Sequence, residues 1–278
     1  MSEAVSFGGD VRGLIVGGYH TKKRLGQHFL TSDAVIARVV ETIAPQPGET
    51  VVEIGPGQGV LTAALASRDI QVTAIEFDRD LIPALEHRFG DSENVTIINL
   101  DFLKWRPSFD RFVLVGNLPY NLTTPVMEWC VTWHGSISRA VFMVQRELAE
   151  RLAAAPDSRA WSPISIFTQL CFQVELAFDV PPTAFEPPPA VVSSVISLQP
   201  TTGTRVDDMP ALQRVVRSGF AQRRKLMTNN LTKELHMAAD GARDALANCG
   251  LGIDVRAEQV TIEQFLKLTA YLRARKIV

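Results

Sequence analysis

The chain has 278 residues, 46% hydrophobic and 21% charged, with 28 Lys and Arg against 30 Asp and Glu for a net charge of −2. That balance describes a folded globule with room for one large domain and one small one, and it excludes a disordered chain. No apolar run has the length needed to span a bilayer, so no membrane partner is expected. A nearly neutral total excludes indiscriminate nucleic-acid binding but allows a local basic face.

Three widely spaced cysteines, Cys130, Cys171 and Cys249, form no CxxC pair. They point away from a disulfide framework or a zinc site and toward a reducing, cytoplasmic compartment. Residues 1–20 carry Glu3 and Asp10 among few basic groups and fit neither a signal nor a transit peptide, so they are expected to form a flexible lead.

The ordered part opens at Thr21 with three cations, Lys22, Lys23 and Arg24, before the apolar pair Phe29-Leu30. Ser32-Asp33 reads as a helix cap, and Val35, Ile36, Val39, Val40 and Ile43 repeat at helical spacing. After the Pro45-Gln46-Pro47-Gly48 break come strand 50–54, helix 60–67, strand 70–76, a helix of Leu81, Leu85 and Phe89, and strand 95–100. Strands alternating with helices predict parallel βαβ units in a doubly wound sheet. A strand over 112–115, a helix over 126–133, a strand over 140–144 and two helices, 146–155 and 164–172, follow. Next are a strand over 174–178, a loop with five prolines between Pro181 and Pro189, and a strand over 191–198. Beyond Pro200 the pattern changes to amphipathic helices alone. The expected domains are therefore 21–200, α/β, and 201–278, all-helical.

Gly55-Pro56-Gly57-Gln58-Gly59 follows the first strand of this sheet, and Glu76, Asp101 and Asn117 each end or closely follow a later one. In such sheets ligands bind outside the carboxyl ends of the strands. Glu76, about twenty residues after the turn, suits ribose hydroxyls. Pro56 removes an N–H that a phosphate cradle would use, and Glu53 opposes a pyrophosphate but not a cationic aminoacyl group. Asp101 adds an acceptor for an adenine amino group. Together these features favour S-adenosyl-L-methionine over a nicotinamide dinucleotide, whose GxGxxG spacing is also missing.

Gly116-Asn117-Leu118-Pro119-Tyr120 puts an amide, a rigid proline and an aromatic ring on one rim. Such a set suits the exocyclic amino group of a planar base: acceptors for its hydrogens and a ring to stack on. Two cationic clusters, Lys22-Lys23-Arg24 and Arg223-Arg224-Lys225 (the latter on a stretch read as helical), suggest a one-sided positive face for RNA.

With these stretches in view, the chain closely resembles the KsgA family of rRNA adenine N6,N6-dimethyltransferases from about residue 20 to 278. The marks are KKRLGQHFL, VVEIGPGQGVLT, AIEFDRDL, NLPYNLTTPVM, VPPTAFEPPPAVVSSV and FAQRRKLMTNNL. The resemblance implies a Rossmann-like class I methyltransferase domain with a small C-terminal all-helical RNA-binding domain. It implies cofactor contacts at His28, Leu30, Gly55, Gly57, Glu76, Asp101 and Asn117, and catalysis by Asn117, Leu118, Pro119 and Tyr120, with Phe185 clamping the base against Tyr120. The substrate it implies is a pair of adjacent adenosines in the 3′-terminal hairpin of 16S rRNA, in naked small-subunit rRNA or a pre-30S particle, and the enzyme is expected to be monomeric. Two rivals share the fold: an antibiotic-resistance methylase of large-subunit rRNA and a non-catalytic nucleic-acid-binding protein. The chain departs from the family at His28, where asparagine is usual, and at Trp161-Ser162-Pro163.

Overall fold

A computed structural model of the protein describes residues 27–201 and 206–278. The expected lead and the first cationic cluster, Lys22, Lys23 and Arg24, lie outside the described residues. Contact density divides the chain into two units. The first holds the described residues up to Trp129, then Gly135–Arg146 and Ala177–Leu198; the second holds Cys130–His134, Glu147–Leu176 and Gln199–Val278.

The first unit begins with a two-residue strand, β1 (Phe29–Leu30), and helix α1 (Asp33–Ile43), which buries Ile36, Val39, Val40 and Ile43 along one stripe. Ala44 closes α1 in the left-handed region at φ 47°, and its N–H returns to the Val40 carbonyl. The sheet is then laid down by β2 (Thr50–Ile54), β3 (Gln71–Glu76), β4 (Val95–Asn99), β5 (Phe112–Asn117) and β6 (Ile137–Gln145). Helices α2 (Val60–Ala66), α3 (Ile82–Phe89) and α4 (Thr123–Thr132) connect them.

The seven-stranded order is β4-β3-β2-β5-β6-β9-β7, with β7 Phe172–Val180 and β9 Ser193–Pro200. Pairs β2/β3, β3/β4, β2/β5 and β5/β6 are parallel. The expected run of parallel βαβ units ends at β6, because β9 runs antiparallel to it, with Ala140 opposite Leu198. A second small sheet pairs β1 with β8 (Phe185–Glu186), Leu30 facing Phe185. The prolines of this loop hid β8 in the sequence.

The chain builds outward from β2 to β4, then returns to lay β5 on the other side of β2. That reversal is the topological switch point at which doubly wound sheets bind ligands. Register puts Ile54 opposite both Ile75 and Gly116, and Glu76 opposite Asn99, so the glycine turn, Glu76 and Asn117 sit on one edge.

In the second unit α7 (Met209–Phe220), α8 (Met227–Glu234), α9 (Ala239–Asn248) and α10 (Ile262–Ala274) pack around Leu212, Val216, Leu231, Phe265 and Leu268. The first unit ends at Leu198, and Glu147–Leu176 group with the helical unit. The anchor is Trp161, 1% exposed, whose indole N–H donates to the Val260 carbonyl at 3.0 Å. Ser162 then starts helix α6 (Pro163–Cys171) in a capping box with Ser165, and Pro163 occupies its first position. Trp161-Ser162-Pro163 thus works as a tryptophan anchor followed by a helix start.

Candidate active site

The three glycines after β2 all have positive φ, 64°, 58° and 75° at Gly55, Gly57 and Gly59, which L side chains rarely adopt. Space adds a second constraint, since a Cβ on Gly57 would stand 2.9 Å from the Phe29 ring and one on Gly59 2.7 Å from Phe89. The turn is then tied from outside: the Gly55 N–H donates to the Ile75 carbonyl and the Arg88 guanidinium to the Gln58 carbonyl, both at 2.9 Å. Nothing in the sequence marked Arg88 for this task.

Glu76, 6% exposed, accepts from the Gly57 N–H at 3.1 Å and from the Asp78 N–H at 2.7 Å, one bond to each carboxylate oxygen. Each oxygen keeps a second lone pair for a ligand hydroxyl. Burial raises the Glu76 pKa, the backbone N–H groups of Asp78, Gly57 and Phe77 oppose that shift, and the Asp78 charge adds to it. Glu53, 2% exposed, accepts from the Thr62 hydroxyl at 2.6 Å. Burial pushes its pKa up to about 7, with the Thr62 bond opposing and the Glu76 charge assisting. Asp101 caps a short 3-10 turn, accepting from the Leu103 N–H at 3.1 Å. That turn is seated by the aromatic cluster of Phe102, Trp105 and Trp129, with 4.5 Å between the Phe102 and Trp129 ring centres.

At the end of β5, the Asn117 amide nitrogen donates to the His28 carbonyl at 2.9 Å. A carbonyl only accepts, so this bond fixes the amide orientation and leaves the side-chain oxygen as the acceptor on the other side. The Leu118 N–H donates to the Met143 carbonyl at 3.0 Å, which sets that peptide plane. The Pro119 carbonyl is engaged by the Leu122 N–H at 2.9 Å as the chain turns toward α4, so Leu118 holds the carbonyl without a bond among the described residues. The Tyr120 hydroxyl lies 3.2 Å from Ser193 Oγ, and its ring is stacked on His28. Ser193 was not singled out in the sequence, although it stands in the VVSSV mark.

These groups converge on one cavity of about 340 Å³, lined by His28, Leu30, Glu53, Gly55, Gly57, Glu76, Asp101, Asn117, Leu118, Pro119 and Tyr120 among others. Its charged lining is acidic, at Glu53, Glu76 and Asp101. That donor set fits a cationic, hydroxyl-bearing cofactor and disfavours a pyrophosphate, which would meet carboxylates instead of free N–H groups.

Phe185 departs from expectation. It is 5% exposed, packed in the core with Leu30, Val39, Val40, Ala184 and Val195, and it does not line the cavity. Pairing of β8 with β1 turns its ring inward, so the expected two-sided clamp on a base is not formed by Tyr120 and Phe185 in this arrangement. Of the second cationic cluster, Arg223, Arg224 and Lys225 lie in a turn between α7 and α8, not on a helix. Arg223 is bonded to Glu258 at 3.1 Å and to the carbonyls of Arg159 and Trp161, so it holds the helical unit together. Arg224 and Lys225 are exposed.

A doubly wound sheet with a glycine turn, an acidic cavity and an Asn-Leu-Pro-Tyr rim at its switch point defines a class I S-adenosylmethionine-dependent methyltransferase. Solved structures agree. A 23S rRNA methyltransferase, ErmE, superposes with a TM-score of 0.68 at 28% identity, covering 88% of this chain and 99% of its own. A dimethyladenosine transferase from Plasmodium falciparum shares the fold at 0.79 and 23%, covering 90% and 98%. Residues 18–274 match the ribosomal RNA adenine dimethylase family, and the chain belongs to it. Relatives in Acidobacterium capsulatum and Thiobacillus denitrificans, each named ribosomal RNA small subunit methyltransferase A, are 40% and 41% identical. They cover 94% and 92% of this chain and 94% and 100% of their own lengths. The protein is thus an enzyme, an rRNA adenine methyltransferase that uses S-adenosyl-L-methionine.

Proposed function

We propose that this protein dimethylates N6 of two adjacent adenosines in the 3′-terminal hairpin of small-subunit rRNA, as a cytoplasmic monomer acting on the RNA or a pre-30S particle. The observation that carries the chemistry is the bond from the Asn117 amide nitrogen to the His28 carbonyl in the cavity lining, which leaves the amide oxygen as an acceptor. The whole-length identity to small-subunit methyltransferases supports the choice of RNA. The 28% identity to a 23S rRNA methyltransferase keeps large-subunit rRNA as the second reading.

When bound, S-adenosylmethionine supplies an electrophilic methyl group. Glu76 would hold its ribose hydroxyls, the Gly55–Gly57 backbone would approach it closely, and Asp101 would accept from its adenine amino group. Glu53 would balance its positive charge.

The N6 lone pair of adenine is delocalised into the ring and is a weak nucleophile. Asn117 Oδ1 and the Leu118 carbonyl would accept the two N6 hydrogens and favour the tetrahedral geometry in which the pair is localised. Tyr120 would stack on the base, a contribution of roughly 1–3 kcal/mol. A methylated ammonium nitrogen is acidic enough to lose its proton to water, so no side chain is needed as general base. Holding the amine in line therefore accounts for most of the rate. The base must leave its stack to reach the cavity. Arg224 and Lys225 would contribute phosphate contacts.

The test is methyl transfer by purified protein to small-subunit particles and, separately, to large-subunit rRNA, with the modified adenosines mapped. Incorporation confined to large-subunit rRNA would overturn the choice of RNA. Asn117→Ala is expected to reduce single-turnover transfer by about 10²–10³-fold, the scale for a preorganised polar group, with cofactor affinity much less affected.

A further inference from the structure

The resemblance implied a cofactor contact at His28, which lines the cavity, and its ring makes two further contacts. Its ring is stacked on Tyr120, with centres 5.8 Å apart and an interplanar angle of 29°. Its Nδ1 lies 2.7 Å from the Pro187 carbonyl. Because that carbonyl only accepts, Nδ1 carries the proton, and the ring is fixed in tautomer and orientation. Its main-chain carbonyl is the group that turns the Asn117 amide. One residue thus holds two of the groups that meet the target base.

We propose that His28 is a positioning residue for the target adenine: its ring backs the Tyr120 platform while its carbonyl orients Asn117. This rests on the adenine methyltransferase reading above and deepens it. Tyr120 stands at a turn and needs restraint to present a flat face. Ser193 meets its hydroxyl end and the His28 ring lies against it, so the ring is restrained at two points. A platform ordered before the substrate arrives loses less conformational freedom on binding, which raises affinity for the base without a new contact to it. The carbonyl survives any side-chain substitution, so variants at position 28 leave the Asn117 bond in place and change the ring's contacts with Tyr120 and Pro187.

The test compares His28→Ala, His28→Asn and His28→Phe in the full chain. For Ala and Asn, kcat/KM for the RNA is expected to fall about tenfold, within the range of one stacked base, while the Kd for S-adenosylmethionine stays within twofold. His28→Phe, which keeps a stacking face, should restore most of the loss. An RNA carrying 2-aminopurine at the target position should show weaker quenching with His28→Ala than with wild type. In a Tyr120→Ala background His28→Ala should add little, because the two side chains act as one unit.

A changed cofactor Kd with unchanged RNA kinetics would overturn the proposal in favour of a cofactor contact. So would additive losses in the double variant, or equal losses in His28→Ala and His28→Phe that follow a lowered melting temperature. Wild-type protein that methylates no ribosomal RNA would overturn the reading beneath the proposal. Active wild type matched by an equally active His28→Ala would overturn the proposal alone.

Discussion

Glu76 in the first unit and Arg223 in the second are both charged groups held by the main chain, yet their neighbours differ in kind. Around Glu76 four other polar groups are also restrained: Glu53 by Thr62, Asp101 by its own turn, Asn117 by His28 and Tyr120 by Ser193. Beside Arg223, Arg224 and Lys225 are exposed and have no ion pair among the described residues. Burial accounts for the contrast. A carboxylate inside a cavity is costly unless bonded, so the edge of the sheet acquires a rigid, preorganised set of groups. A solvated lysine or arginine meets no such cost and stays mobile, which suits a phosphate backbone of variable shape. Reactive geometry and charge attraction are thus separated by how deeply the groups are placed.

The most severe break should come from Phe185→Ala. If Phe185 is core, as its packing with Leu30 and Val195 says, the truncation should destabilise the protein by about 3–5 kcal/mol, read as a lowered denaturant midpoint. Preserved stability with lost turnover would return Phe185 to the rim and dissolve its separation from Tyr120.

The basic turn offers a smaller effect that divides within three residues. Arg223→Ala is expected to cost about 1–2 kcal/mol, because a half-exposed guanidinium loses one carboxylate and two carbonyls, and to leave the salt dependence of RNA binding as it was. The pair Arg224→Ala with Lys225→Ala should do the reverse, keeping the melting temperature while flattening the plot of log K against log salt by about one to two in slope. Identical behaviour of the two variants would erase the distinction between pinned and solvated cations.

The finest test reads a fraction of a proton. Glu53 has its pKa raised from 4.5 to about 7, so its stabilising contribution is fully present below about pH 4.5 and is lost as pH rises through 7. A cationic cofactor favours the ionised carboxylate, and binding at pH 7 should therefore release up to about half a proton, fading above pH 8. Calorimetry in two buffers of different ionisation enthalpy measures this. Proton uptake, or release that persists in Glu53→Gln, would count against a buried neutral acid at the cavity.

Much was legible in the residues alone. Alternating strand and helix runs, the Gly55–Gly59 turn, the acids at Glu76 and Asp101, and Asn117-to-Tyr120 all carry local signals: periodicity, positive-φ glycines and rigid prolines. Local signals also determined the family, because its marks are contiguous stretches. The sequence by itself therefore determined the alternation of strands and helices and the strand ends that face a ligand.

Tertiary structure decided what no contiguous stretch can encode. Register across β2, β3 and β5 brought Glu53, Glu76 and Asn117 to one edge, and pairing of β1 with β8 buried Phe185. Contacts between residues 89 apart tied the Asn117 amide nitrogen to the His28 carbonyl, and contacts 35 and 62 apart drew Arg223 away from its two cationic neighbours. A side chain's type is written at one position, whereas its burial, and with it the charge it carries and the bonds it can spare, depends on which distant strands and turns close over it.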